Sequence, residues 1–146
     1  QRVYLDSLTS ALGNAGHRVT IFSGPPHPIV DERVEVIEIP SLDLYSKPHH
    51  GHFALRPKHL LSATDSYEYF GHLSGKFVEP FTFGQRIKKY FQKHKPEFDV
   101  LLDNQTLSMG VLQASQAINA PLVTMIHHPI TAARRLALGA AKGGKQ

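Results

Sequence analysis

The chain has 146 residues, of which 41% are hydrophobic, and a formal net charge of +4. These values are typical of one soluble globular domain. No apolar run approaches the roughly 18 to 20 residues that cross a bilayer, and the N-terminus lacks the blocks of a signal peptide, so we expect a cytosolic protein. The sequence contains no cysteine, which excludes disulfides and thiolate metal sites.

The first 40 residues predict one helix and two strands. Apolar residues recur at spacings of three and four from residue 5, as in an amphipathic helix, and Gly16 ends that helix. Residues 18–23 predict a strand closed by two prolines. Residues 33–39 alternate apolar and acidic side chains, which indicates a second strand near the edge of a sheet. The helical stripe consists of Leu5, Leu8, Leu12 and Ala15.

Periodicity disappears between residues 41 and about 80. Forty residues without structure are unusual in a compact domain, so we expect short helices and an ordered excursion. This stretch holds a histidine cluster, and closely spaced imidazoles can share a metal ion. The cluster includes no carboxylate or thiolate, so we predict a polar loop and no metal site. Its members are His49, His50, His52 and His59.

The second half alternates helices and strands. Residues 85–95 predict a helix with Ile87, Tyr90 and Phe91 on its apolar face. A strand at 98–102 follows, and then a helix at 109–118 with Val111, Ala114 and Ile118 at helical spacing. An apolar, buried central strand is predicted at 122–126. A closing helix is expected at 132–141, capped by Thr131.

Strands separated by helices predict an α/β fold, a Rossmann-like doubly wound parallel sheet with flanking helices. Such folds begin with a strand, whereas residue 2 already lies in the first predicted helix. The first strand is therefore missing from the predicted order, and we expect a fragment.

Polar side chains follow the last two predicted strands. Parallel strands bring their carboxyl ends to one edge of a sheet, where open α/β folds bind ligands. Carboxylate, amide, hydroxyl and imidazole groups suit the recognition of sugar hydroxyls. The alternative is that Asn104 and Thr106 cap the next helix and that one histidine is an ordinary turn residue. The predicted set is Asp103, Asn104, Gln105, Thr106, His127 and His128.

Three segments resemble the family-four glycosyltransferases of the GT-B fold. LTSALGNAGHRVTIFS is similar to their leucine-rich first helix, Gly-His pair and second strand. FDVLLDNQT resembles the strand before their acceptor pocket, and PLVTMIHHP resembles their apolar run that ends in a functional histidine. The resemblance covers residues 2–39 and 85–138.

This resemblance implies a retaining transferase that moves a sugar from a nucleotide-sugar donor to a carbohydrate or lipid-linked acceptor, with no cofactor. Residues 1–146 would form the single Rossmann-like N-terminal, acceptor-side domain, truncated at both ends and inactive without its C-terminal domain. His127 falls at the family's histidine, which hydrogen-bonds the transferred sugar, and His128 falls where glycine is frequent. The alternative is a noncatalytic module that binds a sugar, a nucleotide or a protein.

The helix at 85–95 also carries a basic face. Basic side chains near an anionic bilayer favour peripheral contact, here at the inner membrane face, although a solvated outer face is the simpler explanation. No nucleic-acid recognition signature is present, so no nucleic-acid partner is expected. The membrane-contact candidates are Arg86, Lys88, Lys89 and Lys93.

Overall fold

The structure is a computed structural model, and it describes residues 2–44 and 57–127. The predicted closing helix at 132–141 and its cap, Thr131, lie outside these residues, as do His49, His50, His52 and His128. The elements in chain order are α1 (Arg2–Asn14), β1 (Thr20–Ser23), β2 (Glu35–Glu38), a 3₁₀-helix η1 (Pro57–Leu61), α2 (Ala63–Leu73), α3 (Glu79–His94), β3 (Leu101–Asn104), α4 (Met109–Ile118) and β4 (Leu122–Met125).

The fold is α/β, as predicted, with short parallel strands in two small sheets flanked by helices. β1 pairs with β2 from Thr20 opposite Glu35, and β3 pairs with β4 from Leu101 opposite Leu122. The arrangement is compatible with a Rossmann-like fold. The described strands nevertheless form two separate pairs instead of one continuous sheet, because no strand among them joins one pair to the other.

Helix α3 supplies the centre of the hydrophobic core. Of the three residues predicted for its apolar face, Ile87 and Phe91 are 4% and 1% exposed, and Tyr90 is half-buried against the same core. Phe22 from β1 and Leu101 from β3 pack against the same cluster, so both strand pairs contribute side chains to one core. Ala114 of α4 is fully buried beside them, as the helical spacing of α4 predicts.

The prediction that residues 122–126 form a buried central strand is wrong. β4 pairs only with β3 among the described strands, and Val123 and Ile126 are 51% and 61% exposed. An apolar run is buried only where other elements cover it, and the described elements leave the middle of β4 open.

The short helices η1 and α2, between residues 57 and 73, confirm that part of the ordered excursion expected over residues 41 to about 80. Ser62 caps α2, because its hydroxyl accepts a hydrogen bond from the main-chain N–H of Asp65 at 3.2 Å. Helix α3 begins at Glu79, six residues earlier than predicted, since Pro80 fits the first turn of a helix, where its missing N–H costs nothing. Lys95 ends α3 in the left-handed conformation, with φ of 44°.

Candidate functional site

The loop after β3 is braced by Asp103. One carboxylate oxygen accepts from the N–H of Thr106 at 2.9 Å, and the other accepts from the N–H of Leu107 at 3.1 Å. Gln105 and Leu107 adopt positive φ angles of 62° and 53°, a costly conformation for residues with side chains. Asp103 is 6% exposed and both of its carboxylate oxygens accept main-chain hydrogen bonds, so it braces this loop. Its contact with substrate stays a prediction.

Asn104, Gln105 and His127 come together at the carboxyl ends of β3 and β4. Asn104 lies opposite Met125 in the ladder, so the residues that follow both strands meet at one edge. The side-chain oxygen of Gln105 accepts from the main-chain N–H of His127 at 2.9 Å. The Oδ1 atom of Asn104 is within hydrogen-bonding distance of Nε2 of His127. Three of the predicted site residues therefore form one hydrogen-bonded group.

Tyr4 completes this group, and no sequence pattern predicted its place there. Its ring meets the His127 ring edge to face, with centroids 4.9 Å apart and planes at 80°. Its hydroxyl also contacts the sulfur of Met125. Tyr4 and His127 are 123 positions apart, so only the packing of α1 against the end of β4 reveals their contact. Together these side chains form the edge cluster, which consists of Tyr4, Asn104, Gln105 and His127.

The next helix is capped by a residue outside the predicted set. Ser108 precedes α4, and its hydroxyl accepts from the N–H of Gly110 at 3.2 Å. The alternative in which Asn104 and Thr106 cap this helix is therefore wrong. The half-buried Thr106 contributes its main-chain N–H to the brace on Asp103.

Arg86 does not lie on a free basic face. Its guanidinium contacts Asp65 at 2.6 Å and also pairs with Glu68, and its side chain is only 12% exposed. Lys89 and Lys93 are exposed, and Lys88 is half-buried. The three lysines remain as candidates for membrane contact, whereas Arg86 links α3 to α2. Among the described helices, none is long and apolar enough to cross a membrane.

Residues 2–44 and 57–127 contain no group of three or more potential metal-binding side chains. Of the histidine cluster, only His59 lies in these ranges, in η1. A cavity of about 150 Å³ lies between the second half of α1 and the residues that precede β1 and β2, at the amino ends of these two strands. It contains none of the predicted site residues. Thr9, His17, Arg18, Asp31 and Arg33 are among its lining residues.

These observations define the class of site: amide and imidazole groups gathered where parallel strands of an α/β fold end. No protein-family model matches the chain. The chain is similar to a curated protein of Mycolicibacterium hassiacum named MMP alpha-(1->4)-mannosyltransferase, with 38% identity over 143 residues. The match covers 97% of this chain and 34% of that protein, so the chain spans about a third of its relative's length.

Proposed function

We propose that this chain is part of a glycosyltransferase. It would supply the acceptor-side, Rossmann-like domain of a two-domain GT-B enzyme that transfers a sugar from a nucleotide-sugar donor with retention. The observation that carries the proposal is the 38% identity to a mannosyltransferase across nearly the whole chain. Mannose is accordingly the sugar that we propose, transferred to a hydroxyl of a carbohydrate acceptor.

The edge cluster supports this proposal chemically. Sugar transfer requires groups that hold hydroxyls in fixed directions, and amide and imidazole groups do so without adding a full charge. His127 is exposed and stands at the carboxyl end of β4, where ligands of open α/β folds bind. We assign it the contact with the transferred sugar, as the resemblance to the family-four enzymes implies.

The function is tested with the longer protein that contains this chain. Purified protein is incubated with nucleotide-activated mannose, or with matched glucose and galactose donors, and a mannose oligosaccharide acceptor. The expected result is transfer from the mannose donor, with release of the nucleotide and an α-configured new linkage identified by NMR. The 146-residue chain alone should transfer no sugar, because the proposed donor-side domain would be absent.

The main alternative is a noncatalytic module that binds a sugar, a nucleotide or a protein. It differs in one observable: such a module binds its ligand without releasing free nucleotide or forming a linkage. If the longer protein binds the oligosaccharide but transfers no sugar from the mannose, the glucose or the galactose donor, the result would favour a binding module over an enzyme.

A further inference from the structure

The side-chain amide of Asn104 lies against one nitrogen of the His127 ring. Oδ1 of Asn104 faces Nε2 of His127 within hydrogen-bonding distance. An amide oxygen can only accept a hydrogen bond, so Nε2 must be the donor. A neutral imidazole has a single N–H, and its Nδ1 atom is then left with a lone pair.

Two further contacts hold the histidine in place. The main-chain N–H of His127 donates to Oε1 of Gln105 at 2.9 Å, which fixes the backbone at the end of β4. The ring packs edge to face with Tyr4, which limits its rotation about the side-chain bond. Among the described residues none bonds Nδ1, and His127 is exposed, so this lone pair is open to a ligand.

We propose that Asn104 and Tyr4 are positioning residues that keep His127 as the Nε2–H tautomer, with Nδ1 presented as an acceptor for a sugar hydroxyl. Asn104 was expected to bind substrate directly, and this proposal assigns it an action through His127 instead. The assignment of a sugar hydroxyl as the ligand rests on the proposed glycosyltransferase function, whereas the assignment of the His127 tautomer does not.

A neutral amide suits this role better than a carboxylate would. A carboxylate facing Nε2 stabilises the imidazolium ion, in which both nitrogens are donors and no acceptor remains. Asn104 accepts the Nε2 hydrogen without adding a negative charge, so this contact does not favour a second ring hydrogen on Nδ1. In the proposed tautomer Nδ1 accepts a hydrogen bond from a sugar hydroxyl.

The tautomer is measured by NMR of the longer protein labelled with ¹⁵N-histidine, at a pH above the imidazole titration. The His127 signals are assigned by their loss in His127→Gln. We expect Nε2 to be the protonated, pyrrole-type nitrogen and Nδ1 the pyridine-type nitrogen. A pyrrole-type Nδ1 in the parent protein would overturn the proposal. This test uses the parent protein, so it does not depend on whether a variant of Asn104 folds.

Variants of the positioning residues give a second readout. Asn104→Leu should mix the two tautomers of His127, because leucine accepts no hydrogen bond, whereas Asn104→Asp should retain the Nε2 hydrogen and favour the imidazolium ion. Tyr4→Phe keeps the ring and should preserve the spectrum, while Tyr4→Leu should broaden the His127 signals. An Asn104→Leu protein with a parent-like His127 spectrum would contradict the assignment.

A double-mutant cycle then separates positioning from direct substrate contact. Asn104→Leu should lower kcat about tenfold in the parent, the effect of losing one ordinary hydrogen bond, with little change in KM. In a His127→Ala background the same change should have no further effect, because its action requires His127. Equal losses in both backgrounds would mean that Asn104 contacts substrate itself. Absence of any transfer by the parent would refute the proposed function and leave the tautomer result standing.

Discussion

Gly84 and Gly110 lie where helices α3 and α4 touch backbone to backbone. A Cβ atom on Gly110 would lie 2.7 Å from the Cα of Gly84 and still closer to its carbonyl group. A Cβ on Gly84 would lie 2.8 Å from the Cβ of Ser108, the residue that caps α4. The position of α4, and of the loop that leads to it from β3, therefore depends on two residues that have no side chain.

Substituting Gly110 with alanine should strongly destabilise the domain. Its methyl group would meet rigid backbone of α3, and overpacking of this kind costs about 1 to 3 kcal/mol or more. The matched control is Gly13→Ala in α1, whose new Cβ meets nothing within 4 Å and should stabilise by up to about 1 kcal/mol through helix propensity. Urea unfolding of both variants measures the difference. Parent-like stability of Gly110→Ala would show that the helices do not approach this closely.

Substituting Glu68 with glutamine should also destabilise the domain. Glu68 is 1% exposed, pairs with Arg86 and accepts from the N–H of Leu42 at 3.2 Å. Removing one partner of a buried ion pair costs about 3 to 5 kcal/mol, because the remaining charge loses its compensation. Lys93→Gln, on an exposed part of α3, the helix that carries Arg86, should change the unfolding free energy by less than about 0.5 kcal/mol. Equal unfolding midpoints for the two variants would count against this ion pair.

The carboxyl of Asp31 should titrate far below its ordinary value. The side chain and main-chain N–H of Arg33 donate hydrogen bonds to it and lower the pKa of Asp31 from 3.8 to about 2. The folded pKa lies below the unfolded one, so the stabilisation is fully present above pH 3.8 and disappears as the pH falls through 2. A ¹³C NMR titration measures this pKa, which should rise toward 3.8 in Arg33→Gln. A midpoint near 3.8 in the parent would be inconsistent with the contact.

Binding of the longer protein to anionic vesicles should depend on Lys88, Lys89 and Lys93. Each basic residue near an anionic surface contributes about 1 kcal/mol, so neutralising all three to glutamine should weaken binding by roughly a hundredfold. Co-sedimentation with phosphatidylserine vesicles at low and at physiological salt measures this. Arg86 is omitted because its charge is already paired on α2.

A second triple variant controls for net charge alone. Arg18, Lys58 and Lys76 lie outside α3, and their neutralisation changes the net charge by the same amount. Parent-like binding of this control, together with weak binding of the α3 variant, would assign membrane contact to α3. If both triple variants weaken vesicle binding equally, the binding would reflect a general attraction between opposite charges and not a specific contact through α3.

Local patterns in the sequence predicted the elements of the core well. The helical spacing in α3 and α4 identified Ile87, Phe91 and Ala114, because a buried helix face repeats every three to four residues. In α1 the same reasoning was less successful. Leu5, Leu8 and Leu12 are only half-buried, Ala15 is exposed and Thr9 is 2% exposed. Hydrophobicity does not identify a buried hydroxyl that donates to a carbonyl one turn earlier, as Thr9 does to Asp6.

The site was predictable only in part. Strand order brought Asn104, Gln105 and His127 to one edge, since parallel strands share an end. Side chains alternate between the two faces of a strand, so their directions depend on where the strand ends. β3 includes Asp103 and Asn104 and extends past the predicted end at residue 102, so the directions of these side chains were not predicted. Contacts between distant positions, such as Tyr4 with His127 and Arg86 with Asp65, leave no periodic signal in a single sequence.

The central claim is that His127 contacts the transferred sugar, and turnover by His127→Ala in the longer protein tests it most directly. We predict a fall in kcat/KM of about a hundredfold with unchanged thermal unfolding, because the exposed ring would be lost from the reaction centre and not from the core. The control is His94→Ala, an exposed histidine that stacks on Tyr90 at the end of α3 and should retain full activity. Equal kcat/KM values for His127→Ala and the parent would contradict this account.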